Sequence, residues 1–521
     1  MPLLFVVQGD SAATDACAVR ETTLSRWRRA GTLQRRACLA EPRRARERTY
    51  RPWCRGDLVG LASDAVAVQS WAVRIALAAV LAAALVFGEA QAAAPSRAPG
   101  MLSPLPGRSS CRIGVEFADC ALARGLLGPP ALVASVDGRD VYAASSFDTG
   151  PDNGTVTLLR RRRPIGDFVQ PAGAAACVGR SPQTRCARAR GLRQAAMNVG
   201  QAIAIAPDGR TVYAGGGDGL VVLARNRSTG TLRQLVGRDG CIAAGVRGCA
   251  TTTGIGEVHA IAVSPDGRNV YATVAEAESA NDVLLTLRRN RNTGALRPLH
   301  GRGGCIGAPG AVAGCAPARA AEFIDDLVVS RDGRHVYAIG VDLVAFRRDP
   351  RSGSLTQLGG RHGCIARTGG CQRVRGILNS QALAIAPDDR HVYVTAGGDR
   401  GRLVVLVRDR RTGALRQLAG RAGCLAAVRR AGCTHAAGLS ADAIAVSPDG
   451  RNVYTGGHGL VTLLRRPTTG ALTPVGRLAA RFGGDSLAIP PDGRNVYATS
   501  GFVGTETTPT IGIIMALARS P

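Results

Sequence analysis

Lysine is absent: every one of the 66 basic residues in this 521-residue chain is arginine. That excludes a phosphate-binding loop, whose lysine reaches the terminal phosphates. Aromatic residues are scarce, at 4%, and the arginines are spread over the whole chain instead of clustering with them. Both features argue against a nucleic-acid platform, which needs bases stacked beside a cationic track. No G-x-S-x-G, H-E-x-x-H or C-x-x-C occurs, so the common serine-hydrolase, zinc-protease and thiol-redox signatures are missing. Long apolar runs are also missing, with one exception at Ile75–Phe87. At about 13 residues it is short for a membrane span.

What is present begins with charge and glycine. The formal net charge is +28 and there are 67 glycines. The wealth of Arg, Ala and Gly fits a GC-rich bacterial genome, and it also favours anionic partners. Abundant glycine with 45% hydrophobic residues suits many short strands joined by tight turns, in a chain long enough for a large core.

Residues 1–72 form an Arg-rich prelude without strand or helix periodicity. Val73-Arg74, the apolar run and the small residues Ala90 and Ala92 then have the layout of a signal peptide over 73–92, cleaved after Ala92. Translation from near Val73 would explain a signal so far into the chain. Residues 93–100 read as a linker, with no membrane span in the mature chain after it.

From residue 101 onward a repeat takes over. Its best copy is Ser264–Tyr271, SPDGRNVY. Seven copies are marked by Asp137, Asp208, Asp266, Asp332, Asp388, Asp449 and Asp492, spaced 43 to 71 residues apart. Each Asp is followed two positions later by Arg, four later by Val and five later by Tyr. Within the unit starting at Gln201, apolar runs at Ala202–Ala206, Thr211–Ala214, Leu220–Ala224 and Thr231–Val236 are separated by Pro-Asp-Gly, Gly-rich and Thr-Gly turns. These are four strands per unit. Seven such units predict an all-β, seven-bladed propeller of four-stranded antiparallel blades over residues 101–521. The last unit lacks a fourth strand. Leu102–Cys111 matches Leu232–Cys241 at Leu, Leu, Gly, Arg and Cys, so an N-terminal strand is expected to close the last blade.

Twelve of the fifteen cysteines fall into six short-range pairs: Cys111/Cys120, Cys177/Cys186, Cys241/Cys249, Cys305/Cys315, Cys364/Cys371 and Cys424/Cys433. Each pair is placed between one blade's outer strand and the next blade's inner strand, where it would pin a surface loop. Disulfides are expected, in a secreted, periplasmic or cell-surface protein.

Seven residues before each repeat Asp lies the expected start of the inner strand, at the mouth of the central funnel. That column reads Pro130, Gln201, His259, Asp325, Gln381, Asp442 and Asp485. Glu257 and Asp326 are close by in sequence, and Arg373 and Arg375 lie in a loop leading to the same face. Three chemistries are open here. The polar ring can simply be solvated. Asp325, Asp442 and Asp485 could hold a divalent cation. Or His259 could act as general base beside Glu257, with Arg binding an anionic substrate. The repeat Asp column is expected to cap turns. His335 and His391, which follow those turns, are expected to face solvent.

The S-P-D-G-R-x-V-Y motif with T-G-x-L opening the last strand resembles the lactonase-like seven-bladed propellers. That group includes propeller-type 6-phosphogluconolactonase, the carboxy-muconate lactonizing enzyme and surface-layer proteins with YVTN repeats. The resemblance covers about 102–521 and implies a site over the central channel using His, Glu and Arg. His259 sits where such repeats often carry Pro-His. The paired cysteines and the export signal depart from the cytoplasmic enzymes. The sequence therefore points first to an exported, monomeric binding or surface module taking a small molecule, peptide or anionic polymer. A lactonase-like hydrolase is the second reading.

Overall fold

A computed structural model describes residues 98–114, 120–126, 128, 131–145, 154–180, 185–192, 202–275, 282–310, 312–367, 369–397, 401–479, 483–502 and 511–521. The Arg-rich prelude, the segment 73–92 expected to be a signal peptide, and Gln201 lie outside the described residues.

The seven repeats form seven sheets in a closed ring, antiparallel except at short edge segments. The inner strands are Ala131–Ala134, Ile203–Ile205, Glu257–Val263, Asp326–Val329, Ser380–Ile385, Ala443–Val446 and Leu487–Ala488. Each packs against the inner strand of the next blade, and the seventh against the first. Apart from short 3-10 turns, the described residues contain no helix.

The fourth strand is where the blades depart from the sequence expectation. In blade 2 it shrinks to Leu232–Gln234, which pairs with the end of the third strand Gly219–Arg225. After a 3-10 turn, Cys241–Ala243 returns to pair with the start of that same third strand. The outer edge is thus two short strands in series.

This moves the cysteines. All six expected disulfides are formed, Cys111–Cys120, Cys177–Cys186, Cys241–Cys249, Cys305–Cys315, Cys364–Cys371 and Cys424–Cys433. They do not sit beyond the outer strand, as the sequence suggested. Cys111, Cys177, Cys241, Cys305, Cys364 and Cys424 each open the second piece of the outer edge and so belong to the sheet. Their partners Cys120, Cys186, Cys249, Cys315, Cys371 and Cys433 lie outside the strands, each one residue before a short segment that runs parallel to that piece. Examples are Arg112↔Ala121 after Cys120, Val178↔Ala187 after Cys186, and Ile306↔Ala316 after Cys315. After Cys249 and Cys371 the segment is reduced to a single bridge, Ile242↔Ala250 and Ile365↔Gln372. Cys120, Cys186, Cys315 and Cys371 are half-buried, whereas Cys249 and Cys433 are buried. Each disulfide therefore fastens an extra edge segment onto the blade. Blade 6 has no cysteines. Its fourth strand, Leu472–Leu478, runs unbroken and pairs with all of Leu460–Arg465. A covalent clasp thus occurs where the edge is split and not where it is continuous.

Blade 7 takes its outer edge from the other end of the chain. Leu102–Pro104 pairs with Ile511–Arg519 at Leu102↔Arg519, and Cys111–Ile113 pairs with it at Cys111↔Met515.

The repeat motif builds a buried clasp between neighbouring blades. Seven of the eight tyrosines are the motif tyrosines, and each is fully buried. The Tyr271 hydroxyl donates to the Gly353 carbonyl at 2.7 Å and accepts from Arg348 Nε at 2.8 Å. Arg348 ends the third strand of the next blade. Its Nη1 donates to the Gly333 carbonyl, and its Nη2 donates to Asp266 and to Asn269 Oδ1. The same arrangement recurs with Arg161, Arg225, Arg289, Arg408, Arg465 and Arg519 on Tyr497, Tyr142, Tyr213, Tyr337, Tyr393 and Tyr454. A buried guanidinium is costly unless its donors are met; here Nε, Nη1 and Nη2 each find an acceptor. The hairpin glycine of T-G-x-L fits this design twice. Gly353 adopts φ +85°, and a Cβ there would meet the Asn269 side chain at 2.0 Å.

The turn role of the Asp column holds. Asp266 Oδ1 accepts from the Arg268 N–H and the Ser264 hydroxyl. The solvent-facing expectation for His335 and His391 fails. Both are buried, and their Nδ1 atoms face Arg408 and Arg465 Nη2 at 2.8 Å. They occupy the Asn269 position of the clasp. Burial, with the arginine charge, pushes both pKa values below the ordinary histidine value, so the ring nitrogen is free to accept.

Candidate functional site

Successive strands alternate in direction, so the start of a first strand, the end of a second and the start of a third share one face of the ring. The tyrosine–arginine clasps lie at the opposite ends of these strands. On the first face the structure assembles two separate constellations.

The first lies between blades 3 and 4. Glu257, Ala275 and Asp282 form one row across blade 3. His259 falls at a register shift: Val258 pairs with Val274 and Ala260 with Thr273, leaving His259 as the extra residue. Such a bulge re-aims a side chain. The displaced Ala260 N–H is met by Thr273 Oγ1 at 2.9 Å. Gln381 is the extra residue of the same kind in blade 5, with Thr395 in the supporting role. His259 Nδ1 lies 3.6 Å from Asp325 Oδ1, too far for a direct hydrogen bond, and that buried nitrogen has no hydrogen-bond partner. Burial alone would push the imidazole pKa down. Contact with Asp325 and the charges of Asp282 and Glu257 outweigh it and hold the pKa above the ordinary histidine value. Asp282 is buried and pushed up to about 6, first by that burial.

Asp326 does not join this group. It is fully buried, and its carboxylate accepts from the Leu327 N–H at 2.8 Å and the Leu383 N–H at 3.0 Å. It therefore ties the inner strands of blades 4 and 5 together. Burial pushes it up to about 7.

Of the other expected ring residues, Asp442 is half-buried and Asp485 exposed, with their N–H groups bonded to the Gly456 and Thr499 carbonyls. Neither joins the His259 group. Among the described residues the one cluster suited to a metal is His259, Asp282 and Asp325. Asp282 was missed from sequence because it opens a third strand rather than an inner one. The available signal was an acid at the head of the apolar run Val283–Leu285.

The second constellation holds Arg373 and Arg375. They line a pocket of about 590 Å³ between blades 4 and 5, together with Arg367, Arg402, Arg430 and Asp342. Arg375 is anchored: its N–H bonds to Gln417 Oε1 and its guanidinium to the Gly420 carbonyl. Arg373 and Arg430 are exposed and pair with no described carboxylate. The lining does not include His259.

Fold and site together define a disulfide-clasped seven-bladed β-propeller with two polar constellations on one face. No family model and no curated protein matches the chain. It is similar to solved structures of a candidate 6-phosphogluconolactonase from Bacteroides fragilis, with a TM-score of 0.43 and 15% identity over 67% of this chain and 83% of that one. A second candidate, from Bacteroides uniformis, has a TM-score of 0.43 and 16% identity over 67% of this chain and 84% of that one. Kuenenia stuttgartiensis hydrazine synthase has a TM-score of 0.43 and 14% identity, covering 74% of this chain and 96% of that one. Likenesses at this level carry no argument about activity, and the propeller stands on its own strand pairing. No helix among the described residues is long and apolar enough to cross a membrane.

Proposed function

We propose that this is an exported binding module whose loop-bearing face takes an anionic ligand. The observation that carries this reading is the pocket between blades 4 and 5, where five arginines face one carboxylate. Guanidinium forks match carboxylate and phosphate oxygens two at a time. A carboxylate- or phosphate-bearing small molecule or polymer fits that chemistry. Export is supported by the signal-like layout at 73–92 and by six disulfides, which persist in oxidising compartments.

The lactonase-like reading has one observation in its favour, the closeness of His259 and Asp325.

Titration calorimetry with inorganic phosphate and with a galacturonate oligosaccharide tests the binding reading. Saturable binding is expected, weakened as salt rises and at least tenfold weaker in Arg373→Ala/Arg430→Ala. Equal affinity of the variant refutes the pocket. Acid release from a lactone panel that His259→Ala removes would establish the hydrolase in its place.

A further inference from the structure

We infer that His259, Asp282 and Asp325 form a binding site for a first-row divalent cation such as Zn²⁺, held between blades 3 and 4. This site goes beyond the anion pocket and shares no residue with it.

Three observations carry the inference. First, the donors converge from three places in the fold. His259 comes from the bulge of one inner strand, Asp282 from the head of a third strand, and Asp325 from the residue before the next blade's inner strand. Their ligand atoms all lie within 4.8 Å of one another. Ligands about 2.1 Å from one ion lie at most about 4.2 Å apart, so closing on a cation needs side-chain movement under about 1 Å. Second, His259 Nδ1 is buried with no hydrogen-bond partner, although buried polar atoms are otherwise almost always met. Its near neighbour is the Asp325 carboxylate. Third, the charge is uncompensated in an unusual way. The chain carries 66 basic residues against 38 acidic ones, and the motif carboxylates are each paired with a clasp arginine. Asp282 and Asp325 have no arginine partner among the described residues. The backbone thus holds two acids and an imidazole together and leaves their charge for something else to neutralise.

The donor set chooses the class of ion. One imidazole nitrogen with two carboxylates suits zinc or manganese. Calcium prefers six to eight oxygens. Glu257, in the same row as Asp282, stands near enough to contribute charge, and water can fill the remaining positions. Asp442 and Asp485 are not part of the site.

The test uses the full, oxidised, untagged chain after chelator treatment. Zn²⁺, Mn²⁺, Ca²⁺ and Co²⁺ are each titrated alone, read by calorimetry and thermal midpoint, with visible absorption for Co²⁺. The expected result is one saturable site for Zn²⁺ that raises the midpoint, a Co²⁺ spectrum of mixed nitrogen and oxygen ligation, and no comparable site for Ca²⁺. His259→Ala and Asp282→Asn should each weaken Zn²⁺ binding at least tenfold, while Asp442→Asn leaves it unchanged. The Co²⁺ spectrum is read on the unaltered chain, so poor folding of the buried Asp282 variant does not blur the answer. The inference is overturned by the absence of a saturable site, by Ca²⁺ binding as tightly as Zn²⁺, or by undiminished binding in a folded His259→Ala chain.

Discussion

Replacing Tyr271 by Phe removes one oxygen and leaves the packing of the ring in the core intact. The hydroxyl donates to the Gly353 carbonyl at 2.7 Å and accepts from Arg348 Nε at 2.8 Å. The tyrosine is fully buried and the Arg348 side chain is 1% exposed, so water cannot replace the lost partner. A neutral buried hydrogen bond contributes about 0.5–1.5 kcal/mol and one to a charged group about 1.5–3 kcal/mol. The substitution should therefore cost about 2–4.5 kcal/mol. Denaturant titration of the oxidised chain measures it, with Arg268→Ala as the comparison. That arginine side chain is exposed, and its loss should fall within about 0.5 kcal/mol. A Tyr271→Phe cost as small as the Arg268→Ala cost would refute the clasp as a stabilising device.

Acid should loosen the same clasps. Burial pushes Asp266 up, but the Ser264 hydroxyl, the Arg268 N–H and the Arg348 guanidinium more than offset this and hold it below the ordinary aspartate value. Asp137, Asp332, Asp388 and Asp449 are lowered in the same way. A carboxylate with a lowered folded pKa contributes stability above its unfolded value, near about 3.9, and loses it as pH falls through the folded value. Denaturation midpoints should fall below about pH 4, where these carboxylates take up protons, with a shallower fall in Asp266→Asn; parallel curves below about pH 4 would show that these carboxylates do not carry the effect. Removing residues 93–110 deletes Leu102–Pro104, one of the two outer-edge partners of Ile511–Arg519, and the Gly100 carbonyl that accepts from Tyr454. The thermal midpoint of the whole ring should drop, and Tyr454→Phe should cost less in the shortened chain than in the full one. An unchanged midpoint would mean that the ring does not depend on this strand.

The architecture was legible because seven copies of one eight-residue motif mark seven identical turns, and the cysteines pair over short distances. The split of the fourth strand was not legible. Leu232–Gln234 and Cys241–Ala243 look like one strand and a loop until both are seen on the same third strand. For the same reason the pairing of Cys241 with Cys249 could be read from spacing, but its place on the sheet edge could not. The clasp arginines were hidden for two reasons. They stand among 66 arginines, and the partner of each lies in the neighbouring blade, 77 residues away for Arg348 and Tyr271. His335 and His391 were misread on this account too, since their acceptor role exists only once Arg408 and Arg465 arrive. At the candidate site, counting back from the motif found His259 and Asp325. It could not find Asp282, because the number of residues between the motif and the third strand varies from repeat to repeat.

The clasp also separates two units that are easily taken as one. The blade is the unit of shape, but the unit of mutual dependence runs from the Asp and Tyr of one blade to the Arg of the next. A single blade cut out at its sheet boundaries would carry an arginine whose Nε and Nη2 have lost their acceptors on one flank and a tyrosine with no donor on the other. Gene duplication or recombination that respects blade edges would therefore have to meet matching partners at both new seams. This constraint gives a mechanical reason for the Asp–Arg–Val–Tyr spacing to stay uniform while the loops on the opposite face differ in length and charge.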